Sequence, residues 1–388
     1  MRIGIDCRTI LDPKLEDKAG VAHYVYHLID NLLTTDNKNE YFLFFDKRAK
    51  NTDYFKRDNS VIKYFPFLQY KKFLPFAYSH LLVAAFLGRQ WLDIYHSPAY
   101  SIPLAYSNSK LAVVTVHDLA IYHEAEWFPK RQKFSTKIVV PGSLKKARKI
   151  IAVSDSTKKD IVRFLKIPAQ KIQVIYEGVD KRVKKNLHVE EKFSIKGKFI
   201  LFVGTLEPRK NITGLIRAYN KLKGTNIYKD YQLVITGKKG WLFEEIFKLV
   251  KALGLERKVI FTDYVSQEDK IGLLDAADLF IFPSFYEGFG LPVLESMQQG
   301  TPVVCSNTTS LPEVAGKAAL FVNPRSIKEI SQAIYKVLTD KKLYNDLLLA
   351  GFEQAKRFSW EKCARETLKV YEEVAKTGLS SKKAKKGV

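Results

Sequence analysis

Cysteine is scarce in this 388-residue chain: Cys7, Cys305 and Cys363 are the only three. An odd number, so widely spaced, excludes a disulfide framework and a paired-cysteine zinc site, and it predicts a reducing compartment. Long apolar runs are missing too. The most apolar stretch, Leu74 to Leu87, falls short of the ~20 residues that span a bilayer. The opening MRIGIDCRT has neither the apolar core nor the small-residue cleavage site of a secretory signal. A cytoplasmic protein is expected, with peripheral contact to the inner face of the cell membrane left open. The 20 glycines and 14 prolines follow no period, which removes collagen-like and low-complexity classes. Acidic residues are outnumbered 41 to 64, a net charge of +23.

Hydrophobic residues at 46% and charged residues at 27% describe an ordinary globular chain, long enough for two or three domains. The basic excess is spread out: 32 basic and 19 acidic residues in 1–190, 32 and 22 in 191–388. A lysine-rich solvated surface, attraction to anionic lipid and nucleic-acid binding all fit such a charge.

Apolar runs alternate with helical periodicity along the chain. Strands are expected at Ile3–Asp6, Tyr41–Asp46, Leu92–Ser97, Leu111–Leu119, Lys149–Ser154 and Ile172–Asp180. LAVVTVHDL is apolar on both faces, as in a parallel sheet covered by helices on each side. The charged, aperiodic 181–198 reads as a linker. Alternation then restarts with FILFVG, YQLVITG, VIFTDY, LFIFPS and TPVVCS. The resulting division is an N-terminal α/β domain over 1–180, a second over 199–358, a helix over 359–376 suited to packing back across the linker, and a basic flexible tail over 377–388. Two doubly wound sheets in tandem predict a site in the crevice at their strand carboxyl ends.

The segment PSFYEGFGLPVLESMQQGTPVV, Pro283 to Val304, carries the most chemistry. Glu287 follows the strand LFIFPS, and Gly288 and Gly290 bracket Phe289 where a helix opens. Glycines there let backbone N–H groups approach a ligand, and a helix N-terminus supplies free donors and a positive dipole end. That environment suits a diphosphate. Glu295, eight residues after Glu287, can accept two hydrogen bonds from a vicinal diol such as a ribose, and Glu287 can meet a second polyhydroxylated group. Arg209 and Lys210, after the strand FILFVG, sit where cations can neutralise charge on a departing nucleotide diphosphate. The macrodipole disfavours such a pair at a helix N-terminus, which argues for function rather than structure. His117 ends the strand LAVVTV; as a neutral imidazole it can hydrogen-bond a sugar hydroxyl without being protonated.

The Glu287-x7-Glu295 pair with GFGLP resembles the signature of retaining GT-B glycosyltransferases, most closely glycosyltransferase family 4. GVAHYVYHLIDNL, VTVHDL, AVSDSTKKDI, VIYEGVD, FVGTLEPRKNITGLIRAY and ADLFIFPS follow in the family's order, and only the tail after Lys376 lacks a counterpart. The resemblance implies a GT-B fold: two Rossmann-like domains facing each other across a cleft, the N-terminal one for the acceptor and the C-terminal one for the nucleotide sugar. It implies catalytic roles for His117, beside the donor sugar, for Arg209 and Lys210, on the pyrophosphate, and for Glu287. Donor-binding roles fall to Gly20, Gly204, Val265, Gly288, Phe289, Gly290, Leu291 and Glu295, with Val265 meeting the base through its backbone. The chain departs from the family in three places. The usual glycine pair is reduced to Ala19-Gly20, Thr205 replaces an Arg of many members, and Glu177 stands where many relatives have Asn.

The implied activity is retaining transfer of a hexose, mannose-like on the evidence of GTLEPRKN and VIYEGVD, from a GDP- or UDP-type donor to a glycan or lipid-linked acceptor in cell-surface polysaccharide or glycolipid synthesis. The chain contains no DxD pair, the device that holds a divalent ion in nucleotide-sugar enzymes of the other major fold. No metal and no further cofactor are therefore expected. A GT-B-like nucleotide-sugar epimerase is a rival, though such enzymes do not share the acidic pair with GFGLP. A non-enzymatic nucleic-acid binder would explain +23, but neither a basic stripe with stacking aromatics nor a known module is present. Lys71, Lys72 and Arg89 flank the apolar 73–87, which reads either as a membrane-surface helix or as a core helix.

Overall fold

Every strand pairing among the described residues is parallel, as buried apolar runs separated by helices require. The computed structural model describes residues 1–13, 20–65, 76–103, 105–106, 111–128, 130–180 and 185–386. It divides into two units. The first comprises Met1–Tyr122, Lys130–Gly178 and Trp360–Val388; the second comprises His123–Pro129 and Val179–Ser359.

The first unit holds β1 (Arg2–Asp6), β2 (Glu40–Phe45), β3 (Ser60–Tyr64), β4 (Ile94–Ser97), β5 (Ala112–Val116), β6 (Lys149–Ala152) and β7 (Ile172–Val174). Their order, β3-β2-β1-β4-β5-β6-β7, reverses direction of growth between β1 and β4. β5 is buried along its whole length, as its two apolar faces predict. It stops at Val116, so His117 emerges from the carboxyl end of the sheet. β3 escapes a pattern reading because SVIKY is short, polar-edged and half-buried. β7 is shorter than expected: its pairing with β6 ends at Val174, before the YEGVD segment.

The helix Trp360–Lys386 belongs to this first unit. Trp360, Cys363, Ala364, Thr367, Val370, Tyr371 and Val374 are buried, a spacing of three and four that gives a single apolar stripe. That stripe covers the helix Val21–Thr35, where His27 stacks on Trp360 with ring centres 5.0 Å apart. Tyr371 reaches further and meets His96 Nδ1 at 2.6 Å. The expected break after residue 376 is not seen, because the backbone stays helical through Lys386.

The second unit holds β8 (Lys198–Val203), β9 (Tyr231–Thr236), β10 (Val259–Asp263), β11 (Leu279–Phe282), β12 (Val303–Ser306) and β13 (Ala319–Val322). Their order is β10-β9-β8-β11-β12-β13, the same winding as in the first unit, with its reversal between β8 and β11. β13 was not expected, since AALFV is a brief run between Gly316 and Asn323. The segment read as a linker is part of this unit where it is described. Asn186 and Lys192 both bond the carboxylate of Asp269, and Lys185 pairs with Asp275 at 2.7 Å. The short stretch 123–128 also joins it, with Trp127 stacked on Phe285 and the Trp241 indole N–H donated to the Trp127 carbonyl.

No helix among the described residues is long and apolar enough to cross a membrane. The helix Phe76–Gly88 turns Val83, Ala84 and Leu87 into the core of the first unit, while Leu81 is exposed. Lys71 and Lys72 lie outside the described residues.

Candidate active site

In the second unit the reversal of strand order puts the ends of β8 and β11 side by side, and the loops leaving both carry the expected residues. Arg209 and Lys210 close a short turn after β8, and Glu287 stands five residues beyond β11. Lys210 Nζ lies 2.7 Å from Glu287 Oε1, and an Arg209 terminal nitrogen lies 3.2 Å from Oε2. Arg209 also donates to Glu207 Oε1 at 3.0 and 2.8 Å and to the Tyr286 carbonyl at 3.1 Å. Glu287 and Lys210 are under a tenth exposed. Burial pushes the Glu287 carboxyl up, but the ammonium of Lys210 and the guanidinium of Arg209 outweigh it and hold the acid below its ordinary range. Two cations and two carboxylates thus share one buried cluster that is electrically balanced. Glu207 was not singled out in the sequence, although it sits inside the GTLEPRKN segment; nothing in spacing distinguishes it from a surface acid.

The loop that presents Glu287 is braced from the chain after β12. Thr309 Oγ1 accepts the Glu287 N–H at 3.1 Å, and the Ser310 hydroxyl meets the carbonyls of Glu287 and Phe289. On the β8 side, the Asn211 amide donates to the carbonyls of Pro283 and Pro324, and the Phe285 N–H donates to the Arg209 carbonyl. The two loops are therefore held to each other by backbone as well as by side-chain contacts.

Gly288, Phe289 and Gly290 lead into the helix Leu291–Gln299. Gly290 has φ 107°, a conformation that favours glycine, and a Cβ there would come 2.6 Å from Leu311 Cδ2 and force that side chain to shift. The Phe289 ring is buried against Phe358, and its carbonyl accepts from Ser310. Leu291 and Pro292 begin the helix, and Glu295 lies in its second turn, 6% exposed. There Glu295 Oε1 accepts from Lys270 Nζ at 2.7 Å. Lys270 was not anticipated, since it comes from the helix Gln267–Ala276, whose N-cap is Ser266. Val265 precedes that cap and is buried. Gly204 follows β8, its N–H donated to the Thr236 carbonyl at 2.9 Å.

Two of the expected residues belong to the first unit. Gly20 precedes the helix Val21–Thr35 with φ 57° and ψ −125°, a conformation that side chains rarely adopt. His117 has both ring nitrogens engaged: Nε2 is 2.9 Å from the Pro98 carbonyl and Nδ1 is 3.1 Å from Glu177 Oε1. The Tyr24 ring meets it edge-on at 4.7 Å. Beneath it His96 is fully buried and its pKa falls to about 3, because burial and the neighbouring His117 both oppose a charge.

Comparison with known proteins finds matches to both halves of the chain. Residues 19–183 match the family described as Glycosyltransferase Family 4, and residues 183–354 match Glycosyl transferases group 1. The chain is 37% identical over 284 residues to O-antigen chain mannosyltransferase B of Escherichia coli, covering 72% of this chain and 74% of that one. It is 32% identical over 282 residues to the serotype-specific mannosyltransferase WbdA of Escherichia coli, covering 69% of this chain but 34% of WbdA. Among solved structures, sucrose-phosphate synthase from Thermosynechococcus elongatus superposes with a TM-score of 0.75 at 20% identity, covering 96% of this chain and 98% of that one. That likeness speaks for the fold, which is GT-B. Since sequence matches span both units and one relative is matched over most of its length, the chain belongs to glycosyltransferase family 4.

Proposed function

We propose that this glycosyltransferase moves a hexose, with mannose favoured, from a nucleotide diphosphate sugar to a glycan or lipid-linked acceptor, with retention of anomeric configuration. The observation that carries this reading is the buried, charge-balanced cluster of Arg209, Lys210, Glu207 and Glu287 at the strand-order reversal of the second unit. The mannosyl preference rests on the two mannosyltransferases named above.

In this reading the donor diphosphate takes Arg209 and Lys210 away from their carboxylates and also meets the backbone N–H groups leading into Leu291–Gln299. Glu287, relieved of its cations, turns to the hydroxyls of the transferred sugar. Glu295 accepts from the ribose diol, the Val265 backbone meets the base, and His117 bonds a donor-sugar oxygen. As the sugar–phosphate bond breaks, negative charge grows on the leaving diphosphate, where two fixed cations are worth most. The departing phosphate oxygen takes the proton of the acceptor hydroxyl as that hydroxyl attacks from the same face. No divalent ion is needed in this scheme, because side-chain cations fill its electrostatic role. A cytoplasmic enzyme, peripheral on the inner membrane face, fits a lipid-linked acceptor.

A nucleotide-release screen across GDP-mannose, UDP-glucose, UDP-N-acetylglucosamine and dTDP-rhamnose, with NMR of the product anomer, tests the proposal. GDP release with mannose of unchanged configuration is expected. Release from none of the four donors, or an inverted product, would refute it.

A further inference from the structure

His117 is held at both nitrogens by groups that have no hydrogen to give. The Pro98 carbonyl can only accept, so Nε2 carries a proton. At Nδ1 a neutral imidazole would then turn a lone pair toward the Glu177 carboxylate 3.1 Å away. The contact is attractive only with a proton in it. An imidazole ring is a stronger base than a carboxylate, so the ring is its natural owner.

The surroundings leave Glu177 as the acid that answers to the ring. Glu177 is 6% exposed. From the helix Val21–Thr35, Tyr24 offers a ring edge and commits its hydroxyl to Thr115. From β4 and the chain after it come His96, neutral and bonded to Tyr371 and Thr115, and the ring of Tyr100. The C-terminal helix contributes the Cys363 thiol, which burial keeps protonated. Asp118, next in the chain, accepts from the Ala120 N–H, and the Thr157 hydroxyl meets the His117 carbonyl.

We propose that Glu177 is a positioning residue for the transfer reaction, holding His117 as an imidazolium with Nδ1 tied off. The bond to Glu177 joins two ionised groups, whereas the one to Pro98 meets a neutral carbonyl, so the Pro98 contact yields first to a substrate. Nε2–H is then the polar edge that meets the donor sugar, and it meets an oxygen as a donor only. No proton leaves the pair. This inference rests on the donor-sugar role proposed for His117. An amide in place of Glu177 could donate to Nδ1 and would leave the ring neutral.

The test is ¹⁵N NMR of the full-length protein with labelled histidine at pH 7.5, His117 being assigned by the signals lost in His117→Gln. Both His117 nitrogens are expected to be protonated in the wild type. Glu177→Gln should convert Nδ1 to an unprotonated nitrogen, and Glu177→Asp should restore the protonated signal. Steady-state transfer by Glu177→Gln should fall about tenfold in kcat while nucleoside diphosphate binding holds, the signature of a group acting on the reacting sugar. An unprotonated Nδ1 in the wild type, or unchanged signals in Glu177→Gln, would overturn the proposal; the wild-type spectrum alone decides if the variant does not fold. A His117→Gln enzyme within twofold of wild type would instead overturn the donor-sugar role itself, whatever the nitrogen signals show.

Discussion

Replacing Glu287 by Gln removes one negative charge from a buried cluster that balances two cations against two carboxylates. Arg209 keeps Glu207 at 2.8 Å, so the loss falls on Lys210, whose Nζ has Glu287 at 2.7 Å and the Phe282 ring at 5.1 Å. Removing one partner of a buried pair costs about 3–5 kcal/mol, and Gln retains a carbonyl acceptor, so the lower end is expected. At about 3 kcal/mol, the melting temperature of a domain of 150–250 residues falls by roughly 6–12 °C. A bound diphosphate replaces the missing charge. Ligand stabilisation grows as RT ln(1 + [L]/Kd), so GDP or UDP should raise the melting temperature of Glu287→Gln more than that of the wild type. Turnover moves the other way, dropping by more than ~100-fold, because a group aimed at the reacting sugar is gone. The acid limb supplies a third readout. The Glu287 carboxyl is depressed in the folded state, so its stabilisation is present above its unfolded pKa near 4.5 and is lost as pH falls through the lower, folded value. The variant should lack that loss. Differential scanning fluorimetry with and without nucleotide, from pH 7 to pH 3, tests both stability claims. A smaller nucleotide shift in Glu287→Gln than in the wild type would refute the charge-balance reasoning, and activity within a few-fold of wild type would refute the catalytic role.

Arg209→Ala should also lose more than ~100-fold in turnover, with some loss of stability because buried Glu207 loses its counter-ion while Lys210 and Glu287 stay paired; near-normal turnover in the folded variant would remove Arg209 from the diphosphate site. EDTA should leave nucleotide release intact, and a complete loss restored by magnesium would overturn the metal-free scheme. Phosphatidylglycerol vesicles should co-sediment the protein at low salt, with Lys71→Glu/Lys72→Glu weakening binding by about 1 kcal/mol for each lysine lost; absence of binding at low salt would end the membrane reading. Gly290→Ala should destabilise the protein by about 1–3 kcal/mol, given its φ of 107° and the Leu311 clash, and unchanged thermal stability would show that the loop relaxes freely.

Much of this architecture was legible because its evidence is local. β5, β8 and β11 announce themselves as apolar on both faces, and the residues that follow them inherit their position at the sheet's carboxyl edge without further information. Glu287, Arg209 and Lys210 could be read as a group for that reason. Hidden partners were illegible because their evidence is not local. Lys270 reaches Glu295 from 25 residues away, and Glu177 reaches His117 from 60. No periodicity couples such positions; Lys270 and Glu295 meet between two helices, and His117 and Glu177 meet beyond β5 and β7, which are not neighbours in the sheet. β3 and β13 were missed for a different reason, as edge strands of four or five residues carry too few apolar positions to outweigh their flanks. In the segment read as a linker, Lys185 pairs with Asp275 and Lys192 with Asp269, contacts that composition cannot show.

The helix beginning at Trp360 completes the first unit with the last part of the chain, although that unit's sheet is finished by Val174. Synthesis on a ribosome therefore runs in an awkward order. The face of Val21–Thr35 that the helix from Trp360 will cover emerges early and waits, while all of the second unit is translated in between. A nascent chain halted near residue 355 has every strand of both sheets and still lacks the cover for the first. Such chains should be clients of holding chaperones and prone to degradation, whereas the second unit, nearly continuous in sequence, can close before its neighbour does.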